Sequence, residues 1–313
     1  MKKIIVFIIV SLFLFSCADS KKDDVVKGAW KDIRKIQVET SIIPLASLVN
    51  YIGWDFVEVN SLVPAWLSPH GFDLKPEQMV QIDKADLIVY LNLEHIDGFL
   101  NKAIEKKDKL VVSKWIKLIE WAPHEHEEEW EKHEQDEHEE EAHSVDPHIW
   151  TSSVNALIIA EKIKNKLIEL SPENKVYFDN NYTTLKGQLK LAKTDFLAAT
   201  KWKKAKEFIV FHDAYNYLFT ELGIDSKSKI VFQKSVLSDP NSSEMKELVD
   251  EIKLHSIKTA FSEPQFSDSN LQKLAKDNGL KIDILNPIGT DPTAKGYINN
   301  YKDNLLKLQK VYE

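Results

Sequence analysis

The chain has 313 residues, 43% hydrophobic, 29% charged and 10% aromatic, which is enough apolar content for one large domain or two ordinary ones and excludes wholesale disorder. Its 41 Lys and Arg against 49 Asp and Glu leave a net charge of −8. That balance carries no electrostatic footprint for nucleic acid, so no nucleic-acid partner is expected.

Lys2 and Lys3 precede an apolar run, Ile4 to Phe15, too short to span a bilayer and typical of a signal peptide. It ends Leu14-Phe15-Ser16-Cys17, which reads as a bacterial lipobox: residues 1–16 would be removed and Cys17 would carry lipid. Cys17 is the only cysteine, so the exported fold is built without disulfides. Residues 18–27 are short on large apolar side chains and read as a flexible tether, and residues 17–34 are expected to lie between the anchor and the fold. The expectation is an exported, membrane-anchored protein facing the periplasm or the cell exterior.

From residue 35 short β-rich runs alternate with amphipathic helical stretches, the pattern of parallel sheets with crossover helices. Strands are expected at Ile36–Thr40, Phe56–Ser61, Asp86–Leu91 and Lys109–Ser113, with helices at Pro44–Ile52, Lys75–Ile82 and Glu94–Lys106. Next comes HEHEEEWEKHEQDEHEEEAH, residues 124–143, which holds eleven acidic residues, one Lys and five of the ten histidines. Without Lys2 and Lys3 the mature chain carries −10, and this one segment accounts for all of it. So much like charge belongs in solvent. His124, His126, His133, His138 and His143 among carboxylates also supply ligands for borderline ions such as Zn²⁺, as accessory sites. The spacing of five between His133, His138 and His143 lacks the i, i+4 pair of a zincin.

Beyond a helix starting near Ser153, Ser171-Pro172 opens a further stretch whose apolar positions, Phe178, Tyr182, Leu185, Leu189, Ala192, Phe196 and Ala199, recur every three or four residues. As one helix from Pro172 to Thr200 it would run about 43 Å, too long for an internal helix of a lobe, so residues 172–201 are expected to join two lobes. Gly187 weakens it without breaking it. The alternation then resumes, with strands near Glu207–Phe211, Lys229–Phe232, Lys258–Phe261 and Lys281–Leu285 and helices near Ala214–Leu222, Ser243–Leu254, Ser269–Asn278 and Thr293–Tyr312. The fold class is therefore α/β: two Rossmann-like lobes, residues 35–171 and 202–313, each with a mainly parallel four-stranded sheet, on either side of one long helix.

Three histidines stand in turn-like contexts, two of them, His70 and His212, at the edges where open α/β sheets bind ligands. His70 follows the second strand in Ser68-Pro69-His70, His212 follows the Phe208–Phe211 run, and His148 lies in Asp146-Pro147-His148. A zinc site needs three or four donors, sulfur is absent, and histidine has to supply most of them. Asp291, in Gly289-Thr290-Asp291-Pro292, is a candidate fourth ligand, with water as its competitor. His95 and His255 sit in helical stretches and read as ordinary residues. Three histidines with an open position also describe a catalytic zinc site, for which Glu263 or Asp213 would be the base; Asp213 reads better as the group orienting His212. A passive zinc buffer or an adhesin would use the same residues.

The stretches VPAWLSPHGFDLKP, KADLIVYLNLEHIDGFL, the His/acid segment followed by DPHIW, FHDAYNYLFTELGI and FSEPQFSDSNLQKLAKDNGLKI with NPIGTDP occur in an order that resembles the ZnuA-type solute-binding proteins of metal ABC importers, over about residues 35–312. The resemblance implies that His70, His148 and His212 bind the metal in a cleft between lobes bridged by a long helix. It implies Zn(II) as the transported ligand, ABC permease membrane subunits as partners, a monomer that is not an enzyme, and a modest lobe tilt rather than a wide hinge. Ser68 stands where the family's first motif usually has Asp. Manganese-type relatives place Glu at the position of His212 and use an Asp near Asp291, so His212 favours Zn²⁺ and Asp291 keeps manganese as the alternative.

Overall fold

The structure, a computed structural model, describes residues 34–120, 145–235 and 238–313. The expected signal peptide, the expected tether up to residue 33, with Cys17, and the His/acid segment 124–143 lie outside the described residues. The apolar runs of the first lobe form four strands, β1 (Ile36–Thr40), β2 (Val57–Ser61), β3 (Leu87–Tyr90) and β4 (Lys109–Val111), paired all-parallel in the order β2-β1-β3-β4. β3 reads LIVY and is buried at every position, as a strand covered on both faces must be. The second lobe repeats the plan with β5 (Phe208–Val210), β6 (Lys229–Val231), β7 (Thr259–Ser262) and β8 (Lys281–Ile284) in the order β6-β5-β7-β8. In both sheets the chain leaves the first strand to one side and returns on the other. The crevice therefore opens at the carboxyl ends of β1 and β3, and of β5 and β7.

The helices are α1 (Ile43–Gly53), α2 (Pro76–Lys84), α3 (Glu94–Asp97), α4 (Ser153–Leu170), α5 (Lys175–Thr200), α6 (Asn216–Leu222), α7 (Ser242–Leu254), α8 (Ser269–Asn278) and α9 (Gly296–Leu308). Local chemistry marks their ends. Ser152 caps α4 by accepting from Val154 N and Asn155 N, Asn241 and Glu244 form a capping box on α7, and α6 and α8 stop at Gly223 and Gly279 in the left-handed region.

Two expected helices differ. The stretch expected at Glu94–Lys106 is one turn, α3, followed by a 3₁₀ turn and irregular chain. Asp97 is turned back to accept hydrogen bonds from Leu91 N (2.6 Å) and Leu93 N (3.0 Å). Burial pushes its carboxyl up to about 6, against the lowering effect of those donors. The joining helix begins at Lys175 after a 3₁₀ turn at Pro172–Asn174, and Thr200 rather than Ala199 completes its buried stripe.

Phe178, Leu185, Leu189 and Phe196 of α5 enter one hydrophobic core with α1, α4, α9 and the strands of both lobes. Smaller clusters cover the outer faces, around Phe211, Phe232 and Leu248 in the second lobe and around Leu62, Ile88 and Leu100 in the first. Polar ties cross between lobes. Ser47 Oγ donates to Thr293 O and accepts from Tyr297 N, both at 2.7 Å, and Trp150 Nε1 donates to Pro287 O at 2.7 Å. Among the described residues no helix is long and apolar enough to cross a membrane.

Candidate metal centre

His70 comes from the loop after β2, His148 from the turn before α4 and His212 from the turn after β5. Parallel strands deliver the loops of His70 and His212 to the crevice, and the segment carrying His148 enters from Val145, which is bridged antiparallel to Glu120. Their ligand nitrogens lie within 4.8 Å of one another, with Nε2 of His148 3.2 Å from Nε2 of His70 and 3.3 Å from Nε2 of His212. His148 and His212 are buried and His70 is half-buried.

The other ring nitrogen decides what those Nε2 atoms are. His148 Nδ1 lies 2.9 Å from Asp146 Oδ1, and His212 Nδ1 lies 2.8 Å from Glu263 Oε1. The His70 ring is hydrogen-bonded to the backbone of His95. An ionised carboxylate only accepts, so Nδ1 of His148 and of His212 carries a proton, and in the neutral form of each ring, the form that binds metal, Nε2 is the bare lone pair. Two such nitrogens cannot hydrogen-bond each other; a cation between them satisfies both.

Burial, then the nearby His148 and His212, pull the His70 pKa well below 6.5 and keep that ring neutral. Burial raises the Asp146 carboxyl, but hydrogen bonds from the His148 ring and backbone and from Asn216 outweigh it and hold the group below the usual carboxylate range. Tyr215, fully buried, is pushed well above 10 by burial and by the charge of Glu263. The centre is walled by Trp150, Phe266, Pro287 and Ile288, with Phe266 edge-on to His212 at 5.4 Å. Gln265 Nε2 reaches from the second lobe to Ala65 O (3.3 Å), on the loop that leads to His70.

Two acidic residues singled out by sequence are elsewhere. Asp291 is not in the histidine group: it is exposed, its Oδ1 accepts from Thr293 N at 2.8 Å, and it borders a different cavity, beside Ser47 and Tyr297. Asp213 does not orient His212; its carboxylate pairs with Lys229, and Glu263 takes the role. The topology explains the exchange, because Glu263 directly follows β7, the neighbour of the strand that carries His212. That register was the available signal. Ser68 Oγ accepts from His70 N at 3.2 Å, so this residue braces the backbone of the loop. Neither carboxylate considered as a hydrolytic base is free of such an engagement, Glu263 with His212 and Asp213 with Lys229. The accessory histidines 124–143 lie outside the described residues.

Two α/β lobes around a long helix, with three imidazoles turned inward, define a metal-binding protein with an interlobe centre. The chain belongs to the family described as zinc-uptake complex component A, periplasmic (ZnuA), whose model matches residues 38–311. It is 30% identical to the high-affinity zinc uptake system protein ZnuA of Bacillus subtilis, over 97% of this chain and 95% of that protein. It is 27% identical to the zinc-binding lipoprotein AdcA of Streptococcus pneumoniae over 99% of this chain, and spans 61% of that relative's length. Among solved structures, one described as a crystal structure of ZnuA superposes with a TM-score of 0.75 at 23% identity, covering 90% of this chain and all of the other, a likeness that shows the fold.

Proposed function

We propose that this chain is the extracytoplasmic zinc-binding component of an ABC metal importer, anchored through lipid on Cys17, which captures Zn(II) at His70, His148 and His212 and passes it to the permease. The carrying observation is the convergence of the Nε2 atoms. Four-coordinate zinc with bonds of about 2.0–2.1 Å has ligand–ligand edges of about 3.3–3.4 Å, and two of the edges here are 3.2 and 3.3 Å. All-imidazole donors suit zinc over manganese, which favours carboxylate and water oxygen. Asp146 and Glu263, one behind each of two histidines, balance the charge of a divalent ion without binding it. The fourth position goes to water, since Asp291 is committed to Thr293. Family membership and the zinc-uptake names of the relatives support the transport role. The acidic insert raises the local concentration of cations and adds weaker sites.

The test is metal content and stoichiometry of protein starting at Ala18, with and without residues 124–143, titrated with Zn²⁺ and Mn²⁺. The expected result is one tight Zn²⁺ that survives removal of the insert. Replacing His70, His148 or His212 by Ala should weaken it by more than the roughly 10- to 100-fold that loss of a supporting group costs. Tight binding that disappears with the insert, or Mn²⁺ held as firmly as Zn²⁺, would overturn the reading.

A further inference from the structure

The stretch Phe211-His212-Asp213-Ala214-Tyr215-Asn216 contributes more than its one histidine. Lys229, at the start of β6, directs its Nζ to two acceptors on this turn, Asp213 Oδ1 and Asn216 Oδ1. An ammonium can only donate, so it selects which end of the Asn216 amide faces it. The oxygen is taken, and the Nδ2 end is left pointing the other way. There it donates to Asp146 Oδ2 at 3.0 Å. Asp146 Oδ1 is thereby reserved for His148, whose backbone N and ring Nδ1 both reach it at 2.9 Å. The Lys229 and Asp213 side chains are 11% and 13% exposed, so the cation is neutralised close by and what it passes to Asn216 is direction rather than net charge.

We propose that Lys229 and Asn216 are positioning residues for the metal centre: together they fix the Asp146 carboxylate so that His148 keeps its proton on Nδ1 and presents a bare Nε2 to the ion. The proposal rests on the zinc reading given above. It assigns a purpose to a half-buried lysine that the centre does not otherwise use. It also makes the geometry of His148, carried by the segment leading into α4, depend on the second lobe. Without the lysine the Asn216 oxygen loses the donor that anchors it, the side chain is free to leave its position, and the Asp146 carboxylate loses the fixed donor that holds it against His148.

The experiment uses the metal-free mature chain. Zinc affinity is measured by competition with a chelator, apo stability by thermal unfolding, and the His148 tautomer by imidazole ¹⁵N NMR. Lys229→Met and Asn216→Leu should each weaken zinc by about tenfold and convert His148 from a single Nδ1–H form to a mixture. Lys229→Arg, which still donates, should restore both. Should either apolar variant fail to fold, Asn216→Asp keeps the volume and the pairing with Lys229 but offers Asp146 an acceptor, and it should show the same loss. A melting temperature that falls while affinity stays within about twofold and the ¹⁵N pattern is unchanged would reduce the pair to a structural role and overturn the proposal. Wild-type protein that fails to hold zinc, or His148→Ala that binds like wild type, would instead overturn the zinc reading itself.

Discussion

His70 differs from its two partners in what stands behind it. His148 and His212 each face a carboxylate, whereas the ring of His70 leans on the backbone of His95, a neutral partner. Burial and the imidazoles of His148, His212 and His95 therefore act on it without a nearby anion to compensate, and its pKa falls well below 6.5. The consequence for stability follows from proton uptake. Between that depressed value and 6.5 the unfolded chain takes up a proton that the folded chain refuses, so apo stability is present above 6.5 and is lost as the pH falls through the window. Metal-free wild type should accordingly lose more melting temperature between about pH 7.5 and about pH 5.5 than His70→Gln, which has no such proton to take. Equal losses would show that the His70 ring is not held neutral by the fold. At this scale the histidines were legible because each stands just past a strand or in a Pro-bounded turn. The acids were not. A short carboxylate can serve its own turn, as Asp291 does with Thr293 N, or pair with a lysine far along the chain, as Asp213 does. Nothing in the neighbouring residues distinguishes those fates from a role at the centre.

Among the elements, the strands were legible to within a residue or two, because runs such as LIVY have no other way to bury every side chain. The order of strands in each sheet was not, since alternation dictates parallel pairing without saying on which side of β1 the chain returns. The stretch after β3 misled for a local reason. Leu100 and Ile104 have helical spacing and are both buried in the outer cluster, but Asp97 commits its carboxylate to the backbone before α3 and the chain turns there. Helix α5 shows the converse, a pattern strong enough to carry a weak residue. Gly187 sits on its exposed side, and a Cβ built there meets no atom within 4 Å. Gly187→Ala should therefore stabilise the fold by up to about 1 kcal/mol through helix propensity and a less flexible unfolded chain. That corresponds to a melting temperature higher by about 2–4 °C, with zinc affinity unchanged. Destabilisation would mean that the position needs the glycine for a contact absent from the described residues.

For the molecule as a whole, the decisive feature is where the core lies. Side chains from α1, α4, α5 and α9 and from both sheets form one continuous cluster, so the lobes are not two cores joined by a flexible strap. The ties from Ser47 to Thr293 and Tyr297, and from Trp150 to Pro287, cross within the same region. A wide hinge motion would expose part of that cluster to water, at a cost of about 25 cal/mol for each Å² of apolar surface uncovered. Beside the metal centre the tie between lobes includes a single hydrogen bond, from Gln265 Nε2 to Ala65 O, which water can replace at small cost. Zinc capture should therefore move the loop of His70 and its surroundings while the lobes keep their mutual orientation. Small-angle scattering on protein lacking the tether and residues 124–143 tests this. A compact chain of this size has a radius of gyration of about 18 Å, and the metal-free and zinc-loaded forms should agree to within about 1 Å. Hydrogen exchange in the same samples should slow on loading around residues 63–72 and stay constant along α5. A radius several ångströms larger without zinc would show that the shared core yields, and that the long helix flexes instead of holding the lobes in place.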